Sequence, residues 1–229
     1  RFEMYEARKG GAQMLLDRKF FKPIRDAVVR LGLNPNDVGM YLWARSAEAR
    51  NALIAKRNAK YPTAGSGLSD AEAKAVLAEF TLNGLTPKLE EVAKLHDALV
   101  DHMLDMRVKA GLLSKEQAKA LRDAQPYYAA LKGFAADGDM QTDGDDSAHN
   151  DAVYAANLGV RKSEYMRPEG RTSMPFNPLF NLMADAQSVA QRVELNKVGK
   201  TLLDNIRNDP TGHANLAKVY GENDTVVEN

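Results

Sequence analysis

Four histidines, one run of aspartates and one cluster of cationic side chains are the groups with which this chain could do chemistry. His96 and His102 are six residues apart. At about 3.6 residues per helical turn they point in clearly different directions and cannot share a metal ion. His149 lies within the aspartate run, and His213 stands apart from the other three. No HExxH and no His pair at i, i+4 occurs, so the signature of a zinc hydrolase is missing. The absence of Cys excludes a disulfide framework, a thiol nucleophile and every Cys-ligated metal site. His96 falls in an apolar stripe, and its expected role is that of a hydrogen-bonded core imidazole.

The aspartates of residues 137–151 invite a calcium reading. Asp137, Asp139, Asp143, Asp145, Asp146 and Asp151 crowd together with Gly138 and Gly144, and no Lys or Arg interrupts them. An EF-hand loop needs oxygen ligands at its first, third and fifth positions, Gly at the sixth and Glu at the twelfth. Counted from Asp137, those last two places hold Thr142 and Ala148; counted from Asp143, Ala148 fails at the Gly position. The run therefore reads as a solvated acidic loop, too poor in large apolar residues to offset its ordering entropy by burial. Gly65-Ser66-Gly67 lacks the Lys of a phosphate loop, and no GxSxG nucleophile elbow is present. The paired acids Glu90 and Glu91, and Asp101 and Asp105, lie among Lys and Arg on helical segments, where surface salt bridges account for them. No catalytic, cofactor-binding or metal-binding residue is assigned.

The candidate interaction residues are Trp43, Arg161, Lys162, Arg167 and Arg171. The four cations follow closely on the acidic run, and guanidinium forks suit carboxylates or phosphates. With 31 basic and 31 acidic residues the net charge is zero, which gives no support to direct nucleic-acid contact. Pairing within the chain or across to a partner is the expectation, as a device that orients the insertion or steers a partner. Trp43 is the only Trp. It is either a core anchor or a partner-binding hot spot, and the core is the preferred place.

The elements that must position these groups are helical. Hydrophobic residues make up 44%, charged residues 27% and aromatics 7%, an ordinary globular balance for one large domain or two small ones. No apolar run is long enough for a bilayer-spanning helix. Period-two runs of Val, Ile and Thr are nearly absent. Asn34-Pro35, Ser69-Asp70-Ala71-Glu72, Thr86-Pro87 and Ser114-Lys115-Glu116-Gln117 read as helix starts. They predict helices over 3–21, 23–32, 35–58, 70–80, 88–110 and 115–124, then a long one over 178–208 and a short one near 213–220. Val92, His96, Leu99, Met103, Met106 and Ala110 form a 4-3-4-3-4 seam. In the long helix the stripe of Leu182, Ala186, Val189 and Val193 shifts to Leu195, Val198, Leu202 and Ile206, which predicts two different neighbours. The predicted fold is all-α, built of antiparallel helices. A helical region 1–132 and an irregular insertion 133–177 precede the long helix and polar tail of 178–229, which packs back on the first region as one domain.

Several of these segments resemble a module found in the large polyvalent proteins of bacteriophages and conjugative elements. The resemblance rests on Tyr41-Leu42-Trp43-Ala44-Arg45, Glu48-Ala49-Arg50-Asn51, Gly65-Ser66-Gly67-Leu68-Ser69-Asp70-Ala71-Glu72-Ala73, Ala110-Gly111-Leu112-Leu113-Ser114-Lys115-Glu116, Gln125-Pro126-Tyr127-Tyr128-Ala129-Ala130-Leu131, Glu169-Gly170-Arg171-Thr172-Ser173 and Asn177-Pro178-Leu179. It spans about residues 38–205. Gln125 and Ala130 depart from the family's Tyr-Pro-x-Tyr-Val-Pro-Leu. The resemblance implies a helical, non-catalytic module of a very long virion or ejection protein that travels with DNA into the recipient cell. Its partners would be other copies or other virion and ejection proteins. Its location would be the particle, then the host envelope or cytoplasm. An accessory or anti-restriction domain that modulates a linked enzyme is the second reading. Apart from the resemblance, acids near the Asp run together with Arg171 leave a hydrolase as a third.

Overall fold

A computed structural model describes residues 10–133 and 170–208. The described residues are helical, with no strand among them. Residues 10–16 are α-helical and run through a π-helical turn, Asp17–Phe21, into α1 (Lys22–Arg30). Then follow α2 (Pro35–Ala55), α3 (Asp70–Leu82), α4 (Thr86–Ala110), α5 (Lys115–Ala124) and α6 (Pro178–Arg207). The predicted short helix near 213–220, the aspartate run, and Arg161, Lys162 and Arg167 lie outside the described residues.

Most starts follow the sequence signals. Asn34 caps α2 by accepting from Asn36 N, with Pro35 in the first turn. Ser69–Glu72 and Ser114–Gln117 form reciprocal capping boxes at α3 and α5. Two expectations need correction. Thr86 does not cap α4: the helix starts one residue early, Leu85 holds the cap position, and the Thr86 hydroxyl lies 2.9 Å from that of Thr81. Pro23 does not open a separate helix. A prolyl ring inside a helix crowds the carbonyl four residues back and removes one N–H. Here the wider π turn sits immediately before it, and the helix continues unbroken from residue 10 to Arg30.

The core lies between α2, α4 and α6, with α1 and the turn before it closing one side. Val92, His96, Leu99, Met103 and Ala110 of the α4 seam are buried, and Met106 packs against them half-buried. On α6 the first stripe, Leu182, Ala186, Val189 and Val193, is buried as expected. Of the expected second stripe, Val198 is exposed instead. Asn196 and Lys200 stay on the seam side, and both side chains donate to the Ala110 carbonyl, at 2.9 and 3.0 Å. A helix leaves its last carbonyls unpaired, so α6 supplies a polar cap to the end of α4 where the apolar stripe gives out. Gly111, left-handed at φ 72°, turns the chain away at that point.

Candidate functional site: a junction of three irregular segments on α2

The described residues of the candidate site meet where the chain is least regular. Residues 61–68, 129–133 and 170–177 converge on one face of α2, held by buried Trp43, Asn51 and Arg171 and by half-buried Asn177 and Asn181. Trp43 is buried on α2 among Ala129 and Leu131, and its indole N–H donates to the Ser66 carbonyl at 3.0 Å. That geometry makes Trp43 a core anchor and removes it from the candidate partner contacts. Two turns on, Asn51 organises the loop before α3. Its amide donates to the carbonyls of Thr63 and Leu68 and to Asp70 Oδ1, and its carbonyl oxygen accepts from Ser66 N at 2.7 Å. One buried amide thus satisfies an irregular segment that has no ladder of its own.

Arg171 performs the corresponding task for the segment that leads into α6. Its backbone N donates to the Gly65 carbonyl, and Ser66 and Arg171 form an isolated parallel bridge. Its guanidinium donates to the carbonyl oxygens of Leu131 at 2.7 Å, Ser173 at 2.9 Å and Met174 at 3.3 Å, and to Ser173 Oγ. Only 4% of the residue is exposed. Arg171 is therefore not an exposed cation of a basic turn, as the sequence suggested. A guanidinium carries five donors in a fixed fork, which suits the satisfaction of several carbonyls at once. Arg50, also buried, reaches toward Gln125 Oε1 at 3.4 Å. A cavity of about 10 Å³ lies among Arg50, Ile54, Gly65, Gly170 and Arg171, room for a single water at most.

Asn177 completes the junction. Its side chain accepts from Leu179 N as the cap of α6 and donates to the Pro35 carbonyl at 2.8 Å. Gly39 makes this approach possible: a Cβ there would lie 2.6 Å from Asn177 Oδ1. Asn181 then binds back to the carbonyls of Ala130 and Lys132.

A second polar group lies between α2 and α4. Arg45 pairs with Asp97 at 2.6 Å, and its guanidinium sits over the Tyr127 ring at 4.7 Å. His96 Nδ1 lies 3.2 Å from the same Asp97 oxygen, and the Tyr41 hydroxyl donates to Glu90. Glu90 thus bonds across the seam, a correction to its reading as a surface acid; Glu91 does pair at the surface, with Arg30. Burial raises the Tyr41 phenol, and its bond to Glu90 adds to the rise. Burial also pushes the Asp97 carboxyl up, but bonds from His96 and Arg45 outweigh it and hold the group below its ordinary range. His96 is fully buried, and its imidazole is pushed down by that burial against a smaller opposing pull from Asp97. Its Nε2 has no hydrogen-bond partner. The group is a half-buried network in which Arg45 and Asp97 match charge across the helix pair and Tyr41 binds Glu90.

An open cleft of about 340 Å³ between α4 and α5 is lined by Asp105, Val108, Lys109, Lys115, Ala118 and Arg122. Its guanidinium is already engaged by Asp101 at 2.7 Å and Asp105 at 2.8 Å. No group of three or more His, Asp or Glu that could hold a metal ion occurs among the described residues, and no described helix is long and apolar enough to cross a membrane.

Sequence reasoning missed Asn51 and the depth of Arg50 and Arg171. A signal for Asn51 was present: it lies four residues after Ala47 and three before Ile54, on the apolar face of α2. Compared with protein-family models, with curated proteins and with solved structures, the chain matches none.

Proposed function

We propose that this chain is a non-catalytic structural and interaction module of a large virion or ejection protein of a phage or related mobile element. One observation supports the reading above the others. Most of the segments that carry the resemblance are far apart in sequence yet meet at the α2 junction, where several of their polar side chains hold it; residues 110–116 lie apart, at the end of α4. Trp43 binds Ser66, Asn51 binds Thr63, Leu68 and Asp70, Arg171 binds Leu131 and Ser173, and Asn177 spans to the start of α2. Residues placed for catalysis point their reactive atoms at a cleft; these point at backbone carbonyls. A motif set that builds a frame is what a packing and assembly module requires.

The experiment is mass spectrometry of purified particles from the element that encodes the chain. Peptides from residues 10–208 at a fixed copy number per particle are the expected result. Their absence from particles, with the protein present in the producing cells, overturns the proposal and turns attention to modulation of a linked enzyme.

A further inference from the structure

The two described stretches that end at Gly133 and begin at Gly170 also touch each other directly. Gly133 lies so close to the returning chain that a Cβ on it would stand 2.7 Å from the Arg171 guanidinium and 3.2 Å from Pro175 Cα. Phe176 N donates to the Lys132 carbonyl at 2.7 Å, and Arg171 donates to Leu131 on the same stretch. Below this clasp, α6 fills the groove between α2 and α4 with Leu179, Leu182, Ala186, Val189, Ala190 and Val193, all buried. Lys132 pairs with Asp185 two turns into the helix, and Asn196 and Lys200 lock the far end onto Ala110. The returning segment thus has an apolar stripe, a buried polar clasp at one end and a polar cap at the other. That is the anatomy of a helix-in-groove complex: anchors at i, i+3, i+4 and i+7 with polar ends that set register.

We propose that residues 10–133 form a receptor for the segment 170–208, which docks by its own interface, so that the frame persists when the chain is cut or rebuilt between 134 and 169. Covalent linkage of any kind raises the local concentration of the helix at the groove, to roughly the millimolar range for a short flexible linker, and so speeds docking. Arg171 is the positioning residue of the complex, since its fork ties the docked segment to residue 131 and orders residues 173 and 174 at once. The inference concerns assembly of the frame and stands whether or not the chain belongs to a particle.

Two forms of the full chain test it. In the first, residues 1–150 and 151–229 are co-expressed with a tag on one half, so that only one peptide bond is missing. The expected result is co-purification in equal amounts, with the far-UV helix signal of the intact chain. Purification of the tagged half alone, or its recovery only as aggregate, overturns the proposal. In the second, residues 134–169 are replaced by about six Gly and Ser residues, enough to span ~20 Å. A cooperative thermal transition close to that of the intact chain is expected. Loss of that transition shows that the frame needs the replaced residues, and this also overturns it. Arg171→Met in the split chain should abolish co-purification while the same change in the intact chain leaves a folded, less stable protein. Unchanged co-purification would remove Arg171 from its assigned role.

Discussion

Arg45 and Arg171 are both withdrawn from solvent, yet the two guanidiniums solve different problems. Arg45 lies between two regular helices whose backbones are already satisfied, so its partners are side chains: Asp97 and the face of Tyr127. Arg171 lies where three segments without regular structure meet, and among the described residues its partners are mainly backbone carbonyls. A charge matched by another side chain sets the register between elements that would exist without it. A charge matched by carbonyls builds the element itself, because those acceptors have no strand or helix to bond with. The irregular junction is therefore the less replaceable of the two regions, despite its smaller share of the apolar core.

The largest effect should follow from Arg171→Met. The change leaves the Leu131, Ser173 and Met174 carbonyls short of their donors in a buried place. Hydrogen bonds to charged groups contribute about 1.5–3 kcal/mol each, so a total loss on the order of 3–5 kcal/mol is expected from urea denaturation. Arg171→Lys should recover only a small part, because one ammonium cannot reproduce the fork. A loss below about 1 kcal/mol would erase the distinction drawn here.

Arg45→Met should cost less, about 1–2 kcal/mol by the same measurement. Asp97 keeps a third of its side chain in solvent and can be rehydrated when its partner is removed, and the methionine stem retains contact with the Tyr127 ring. If Arg45→Met proves as costly as Arg171→Met, the α2–α4 network builds the fold as much as the junction does. Trp43→Phe belongs in the same range. It preserves most of the buried ring but leaves the Ser66 carbonyl without the indole N–H, a loss of about 1–2 kcal/mol. The emission of native Trp43 should be blue-shifted in the isolated domain. A red maximum that shifts only with a partner would return Trp43 to the interaction surface.

The regular part of this molecule was far more legible in sequence than the junction, and the reason is range. A capping box such as Ser69–Glu72 acts over three residues, and the α4 seam repeats within one helix, so both can be read locally. The burial of Leu99 and His96 followed from that period alone. Arg171 gives no such sign. Its carbonyl acceptors at Leu131 and the loop at Gly65 lie 40 and 106 residues away in sequence, and a carbonyl is the same whatever residue bears it. The donation of Asn196 and Lys200 to a carbonyl escaped for a related reason, since their shared acceptor is the end of another helix. Thr86 failed differently. Thr-Pro is a fair start signal, but Thr81 engages its hydroxyl, and the helix began one residue sooner.

The smallest effect at neutral pH, and the one that separates the two regions most cleanly, is the response to acid. His96 lies in the α2–α4 network with Asp97 on its own helix and Arg45 facing it from α2. Its folded pKa is lowered by burial, so near pH 7.5 the imidazole is neutral in both folded and unfolded chains and contributes no pH dependence. As the pH falls through the ordinary imidazole range, about 6.5, the unfolded chain takes up a proton that the folded chain refuses. Stability must then decline with falling pH until the folded pKa is reached. His102, lowered by burial and by Lys19 and Lys109, acts in the same direction from the other side of α4. Neither imidazole Nε2 has an acceptor waiting for the added proton. Among the described residues the junction has no such group: Arg171, Trp43 and Asn51 do not titrate between pH 5 and 8. Urea midpoints taken from pH 7.5 to 5.0 should therefore fall for the native chain. His96→Gln should flatten the slope, and Arg171→Lys should shift the whole curve down without changing it. A native chain with no slope across this window would mean that solvent reaches His96 in the fold. A slope changed by Arg171→Lys but not by His96→Gln would place the acid response at the junction and reverse the assignment of the two regions.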